Sequence, residues 1–154
     1  MTSAHTTTLL GCILVSALIA GRPAGASGGS DGNQYVRVTV ALLDSVMRPG
    51  TMGTLAVTFS PAEDIHVNAE PPVEFSISSS NVFRLSGSPS LRIDKKSGYL
   101  STRSPITQQF VLDKRARPGR HQMKGRLVYF YCSDSAGWCR RHVVPLDCVV
   151  RIVR

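Results

Sequence analysis

Two cysteines separated by six residues, in Tyr131-Cys132-Ser133-Asp134-Ser135-Ala136-Gly137-Trp138-Cys139, constrain this chain more than any other feature. Before them runs Arg126-Leu127-Val128-Tyr129-Phe130-Tyr131. After them runs Val143-Val144-Pro145-Leu146-Asp147-Cys148-Val149-Val150-Arg151-Ile152-Val153, and both segments are rich in the β-branched and aromatic residues that suit a pleated sheet. Two extended segments joined by a short loop containing a glycine predict a hairpin. Facing residues of an antiparallel pair lie about 4.5–5.5 Å apart at Cα, and a disulfide commonly spans about 4.4–6.8 Å. Cysteines at the mouth of such a loop can bond without dragging the backbone.

In the closing strand a period of two sets Val144, Leu146, Cys148, Val150 and Ile152 on one face and Asp147, Val149, Arg151 and Val153 on the other. The first set is the candidate core face, which makes Cys148 a buried small hydrophobe and leaves Cys132 and Cys139 as the pair. A bond closing an eight-residue loop contributes about 2.5 kcal/mol in the chain-entropy model, less than a staple between distant strands. Arg140, Arg141 and His142 follow Cys139 directly, and neighbouring cations favour a thiolate over its thiol. A loop cysteine with a lowered pKa exchanges faster near neutral pH. Gly137 permits a tight turn, and Trp138 beside the sulfur offers shielding or a docking surface. These residues alone leave a redox-active pair and a structural disulfide equally open. Zinc held by Cys132, Cys139, His142 and Cys148 is disfavoured, because structural zinc takes paired ligands two to four residues apart. His66, His121 and His142 stand in separate segments without a nucleophile motif, which argues against hydrolytic chemistry.

The amino-terminal end carries an address. Residues 9–20 form an apolar run of signal-peptide length, too short to span a bilayer comfortably, and Ala24-Gly25-Ala26 is a small-x-small cleavage site. The expected organisation is a signal peptide over 1–26, a flexible glycine- and serine-rich tail over 27–34 and one domain over 35–154. Removing Arg22 with the leader leaves 17 Lys+Arg against 10 Asp+Glu, a net charge of +7. The cations are scattered with little aromatic interleaving, which suits solvated faces and excludes a nucleic-acid groove. No later segment is apolar enough to cross a membrane as a helix. Export to an oxidising compartment makes a disulfide sustainable.

Alternating segments at 35–42, 54–59, 65–68, 73–77, 82–85 and 106–112 precede the closing hairpin, separated by Pro, Gly, Ser and Asn clusters, and no stretch shows a 3.6-residue apolar period. Seven or eight short strands at this spacing predict an all-β chain, an antiparallel β-sandwich of immunoglobulin-like type. Lys114-Arg115-Ala116-Arg117-Pro118-Gly119-Arg120-His121 reads as a solvent-facing connection. Pro71-Pro72, unable to donate to a ladder, belongs at a sheet edge or corner.

The run Tyr129-x-Tyr131-Cys132-Ser133-Asp134-x-x-Gly137-Trp138-Cys139, followed by Val143-Val144-Pro145-Leu146, resembles the active-site hairpin of the amino-terminal domain family of the thiol:disulfide interchange protein DsbD. More loosely, Ala62-Glu63-Asp64-Ile65-His66-Val67-Asn68-Ala69-Glu70-Pro71-Pro72 resembles an upstream strand of that family, and Pro118-Gly119-Arg120-His121 the turn before its penultimate strand. The resemblance implies an immunoglobulin-like, periplasmic or secreted monomer without cofactor or metal. It implies electron transfer between a thioredoxin-fold protein or membrane thiol reductase and oxidised extracytoplasmic proteins. It implies that Cys139 forms the mixed disulfide and Cys132 resolves it. Trp138, Tyr131, Arg140 and Arg141 would bind the partner or shield the sulfurs, and Tyr99, in Asp94-Lys95-Lys96-Ser97-Gly98-Tyr99-Leu100, would cap them. This chain departs from the family in having six residues between the cysteines instead of five, and Arg140-Arg141 where the family has Tyr-Pro-Pro. The competing expectation is a non-enzymatic immunoglobulin-like binding or accessory module whose disulfide only pins the hairpin.

Overall fold

The computed structural model describes residues 33–78 and 80–154, so the expected leader and most of the expected tail lie outside the described residues. Nine strands follow one another: β1 (Val36–Leu42), β2 (Val46–Met47), β3 (Met52–Pro61), β4 (Ile65–Val67), β5 (Glu74–Ile77), β6 (Phe83–Ser90), β7 (Ile106–Leu112), β8 (Gly119–Ser133) and β9 (Trp138–Ile152). No helix occurs among the described residues. One sheet has the order β1-β3-β7-β6; the other runs β2-β9-β8, with β4 and β5 both paired to the far edge of β8.

The period of two does the folding work. Val36, Val38 and Val40 of β1, Leu55, Val57 and Phe59 of β3, Ile106, Phe110 and Leu112 of β7, and Val144, Leu146, Val150 and Ile152 of β9 are all buried, while their strand neighbours largely face water. Their apolar faces meet between the sheets, where Phe59 packs edge-on against Tyr129 at 5.0 Å between ring centroids. The chain is the immunoglobulin-like antiparallel sandwich that its spacing predicts.

Several details differ from the expected elements. β8 and β9 are fifteen residues each, paired without a break from Gly119↔Ile152 to Ser133↔Trp138, so Gly119, Arg120 and His121 belong to the ladder and not to the preceding connection. β2 is a strand that residue composition did not announce. It runs parallel to the end of β9 through Val46↔Arg151 and Met47↔Ile152, and its identity rests on burial of Met47 rather than on any alternation of its own. Asn33, ahead of β1, is tied to the sandwich: its Oδ1 accepts the Tyr35 and Val36 amides at 2.9 and 3.3 Å, and its Nδ2 donates to the Tyr129 hydroxyl at 2.7 Å. Pro71, joined to Glu70 by a cis peptide, lies in the jog between β4 and β5, where no ladder donor is needed. Gly125 lets β5 cross closely, since a Cβ there would strike the Ser76 carbonyl oxygen and lie 3.1 Å from Ile77 Cα.

Candidate functional site

The β8/β9 ladder closes at Ser133↔Trp138, which leaves a loop of four residues, 134–137. Gly137 takes φ +68°, in the left-handed region that favours glycine, and its amide donates to the Ser133 carbonyl at 3.0 Å. The Ser133 hydroxyl accepts the Ala136 amide at 3.2 Å. One step below this turn, Cys132 and Cys139 face each other with Cα atoms 4.0 Å apart and are joined by a disulfide. The two ends of the bond are not equivalent: Cys132 is 5% exposed, whereas Cys139 is exposed.

Strand parity divides the surrounding residues between two faces. Tyr131, Trp138 and Arg140 lie on the inner face, where Trp138 stands 5.1 Å from the Tyr35 ring and 5.8 Å from Tyr131. The Arg140 guanidinium lies over Trp138 at 4.6 Å and over Tyr35 at 5.4 Å, an arrangement favoured by the ring quadrupole. These side chains close the end of the sandwich on the side of the hairpin away from the sulfurs. Arg141 shares the outer face with Cys139.

On that outer face three strands place His66, Cys132 and Cys139 in one row, because His66 pairs with Cys132 across β4 and β8 just as Cys132 pairs with Cys139 across β8 and β9. The His66 side chain is 15% exposed. Its Nδ1 lies 3.6 Å from Oδ2 of Asp134, in the turn between the cysteines. The Tyr99 ring stacks on the imidazole at 3.5 Å between centroids and 17° between planes, and the Tyr99 hydroxyl donates to the same Asp134 oxygen at 2.9 Å.

Tyr99 is delivered by a small hairpin of its own. The Asp94 amide donates to the Tyr99 carbonyl at 2.9 Å, the Gly98 amide donates to the Asp94 carbonyl at 2.8 Å, and Asp94 Oδ1 accepts the Lys96 and Ser97 amides at 2.9 and 3.2 Å. Buried Leu100 anchors the base, its amide donating to the Val67 carbonyl at 2.9 Å. The segment proposed from the sequence as a cap therefore touches the cysteine turn through Tyr99 and Asp134. The sequence offered His66 only as a histidine without a nucleophile motif and Asp134 only as part of the hairpin motif, and gave neither a role at the site. Nothing local marks them, since their meeting depends on the register of β4 against β8, whose paired residues are 66 positions apart along the chain.

Electrostatics sharpen the contrast among these groups. The Asp94 carboxyl is held below its ordinary value by the Lys96 and Ser97 amides and then by Arg103. The bond to Asp134 pushes the Tyr99 phenol above its ordinary value, so it remains a donor at neutral pH. Burial, helped by Asp147, pushes the Cys148 thiol up, as expected of an inert core cysteine. Among the described residues no cluster of three or more His, Cys, Asp or Glu is placed to hold a metal ion, and Cys148 lies on the inner face away from the bonded pair.

Among the described residues no strand pairs with the edge of β9 beside Cys139. Arg151 and Val153 donate their amides to Ser45 and Met47 carbonyls at 2.8 and 2.9 Å, so odd-numbered residues of β9 turn their N–H groups away from β8. The unbroken register carries that phase back to Cys139, and among the described residues β2 pairs only with Arg151 and Ile152. A separate cleft of about 710 Å³, edged by Arg84, Arg115, Arg117 and His121, lies toward the other end of the sandwich. His121 and Cys132 are eleven residues apart on β8, roughly 35 Å at about 3.3 Å per residue, so this cleft has no part in the cysteine site.

No protein-family model matches the chain, and no curated protein matches it. Among solved structures, the crystal structure of yeast GGA1_GAE domain-P21 is similar over 76% of this chain and 94% of that chain, at 14% sequence identity and a TM-score of 0.44.

Proposed function

We propose that this chain is an exported thiol-disulfide interchange domain of the DsbD amino-terminal type. It passes electrons between a thioredoxin-fold or membrane-bound dithiol donor and oxidised proteins outside the cytoplasm. The observation that carries this reading is the asymmetry of the Cys132–Cys139 bond: Cys139 is an exposed residue, which a partner thiolate would attack, and Cys132 is a buried one, which would leave and later return. A bond made only to pin the hairpin has no need of an exposed end, and the ladder continues for thirteen further pairs below it.

The edge of β9 beside Cys139 supports the same reading. By that phase the Cys139 amide points away from β8, so an extended partner segment can add as a strand next to the disulfide, with main-chain hydrogen bonds supplying affinity. Pro145 interrupts the donors of that edge, as edge strands do to limit indiscriminate pairing. Arg141 on the outer face and Arg140 at the end of the sandwich bias the surface toward an acidic partner. Trp138 and Tyr131, given from the sequence as partner-binding or shielding residues, support the hairpin from its inner face.

The test is the reduction potential of the bond in the purified domain, equilibrated against glutathione or dithiothreitol buffers and read by thiol alkylation. Exchange proteins lie at roughly −180 to −270 mV, and a value in that range is expected. A value below about −300 mV would mark a structural bond and favour the accessory-module alternative.

A further inference from the structure

When the disulfide is attacked at Cys139, the electron pair of the broken bond goes to the sulfur of Cys132. Cys132 is a buried residue, 5% exposed, and burial disfavours a thiolate. A leaving thiol of raised pKa leaves slowly, so the exposed end of the bond is easy to reach but its buried end is a poor leaving group unless a proton or a cation meets it. The residue opposite Cys132 on β4 is His66, and directly facing side chains of an antiparallel pair have Cβ atoms about 4.5–5.5 Å apart. Nδ1 of that ring lies 3.6 Å from Asp134 Oδ2, and Nε2 has no hydrogen-bond partner among the described residues. Tyr99 fixes both partners at once, stacking on the ring and donating to the carboxylate that holds it.

Resting on the interchange reading above, we propose that His66 is the proton donor to Cys132 in disulfide opening and the acceptor in its closure, with Asp134 and Tyr99 as positioning residues. The partner's dithiol is the reductant. Its thiolate attacks Cys139, forming the partner–Cys139 bond as the Cys132–Cys139 bond breaks. Cys132 takes the electron pair and a proton from His66 Nε2, and the neutral ring recovers its proton from solvent. The partner's second thiol, on losing its proton, attacks the partner sulfur of the mixed disulfide and expels Cys139, so two electrons have moved and the partner is oxidised.

Among the described residues, the other charged or titratable groups placed beside the ring are Asp134 from the turn, Tyr99 and Asp94 from the small hairpin, and Arg103 beyond it. Of the side-chain types gathered there, imidazole is the one that ordinarily changes charge between pH 5 and 8. The rate of disulfide opening, divided by the concentration of attacking thiolate, should therefore fall as pH rises through that window. Carboxylates, phenol and guanidinium do not supply such a step.

The experiment is stopped-flow reduction of the oxidised protein by dithiothreitol from pH 5 to 8, for the wild type, His66→Phe and His66→Gln. Phenylalanine keeps a ring to stack on Tyr99, and glutamine is the second variant should the first not fold. At pH 6 both should open roughly 10- to 100-fold more slowly per attacking thiolate, at the low end of general-acid contributions, and with a flat profile. Asp134→Asn should keep the sloping profile of the wild type while opening more slowly across it, because it loosens the ring without removing it, whereas the two His66 variants lose the slope. Variants that match the wild type within about twofold and keep its slope would overturn the role of His66 while leaving the redox reading intact. A wild-type bond that dithiothreitol opens only on unfolding would overturn both.

Discussion

Removing the Cys132–Cys139 bond should cost this fold little. The bond joins residues seven apart and so closes eight residues, for which the chain-entropy model gives about 2.5 kcal/mol. Against this stand six aliphatic side chains that β8 and β9 bury on the inner face, Met123, Leu127, Val144, Leu146, Val150 and Ile152, each 3% exposed or less. At about 1.5–3 kcal/mol apiece their gross contribution is several times that of the bond. Reduction of the wild type should therefore lower stability by no more than about 2.5 kcal/mol, or the Tm by about 10 °C at about 4 °C per kcal/mol. The double variant Cys132→Ser, Cys139→Ser should lose about 1 kcal/mol more, because one hydroxyl replaces a buried sulfur. Urea unfolding of oxidised, reduced and doubly substituted protein gives all three values, with the m-value unchanged if the sandwich stays whole. A loss above about 4 kcal/mol on reduction alone, or a collapse of m, would refute the view that the hairpin stands without its disulfide.

Three further outcomes follow from other parts of the molecule. Gly125→Ala should destabilise by about 1–3 kcal/mol and detach β5, since its Cβ would meet backbone that cannot swing aside; amide exchange at Ser76 and Ile77 tests this, and unchanged protection there would contradict it. Cys148 should resist iodoacetamide at pH 7.5 until the protein unfolds, because burial holds it as the unreactive thiol; peptide mapping that finds it modified in the folded protein would count against the core assignment. The Asp94 carboxyl is depressed in the folded state, so its contribution to the Tyr99 hairpin is full above its ordinary value of 3.8 and is lost as pH falls through the lower folded value. Carbon-13 titration should place its midpoint below 3.8, and a midpoint at or above that value would remove the basis for this contribution.

What could be read from the sequence was whatever depends on residues near one another along the chain. A period of two assigned Val144, Leu146, Cys148, Val150 and Ile152 to the core face, and the short glycine-containing loop joined Cys132 to Cys139, because pleat and loop length settle both without reference to any other strand. The sandwich class followed from the number and spacing of such segments. Trp138, read as a neighbour of the sulfur, illustrates the limit. Adjacency in sequence puts successive strand residues on opposite faces, and packing against Tyr35 and Tyr131 took it to the inner one. Strand β2, two residues long, acquires its identity from Arg151 and Ile152 a hundred positions later. The row His66, Cys132, Cys139 and the contact of Tyr99 with Asp134 exist only because β4 pairs with the far edge of β8 in one register and the 94–100 hairpin is tied down at Val67. Local propensity determines which residues face together within a strand; cross-strand register, set by burial of the whole inner face at once, determines which of them meet, and here it sets a histidine opposite the buried cysteine.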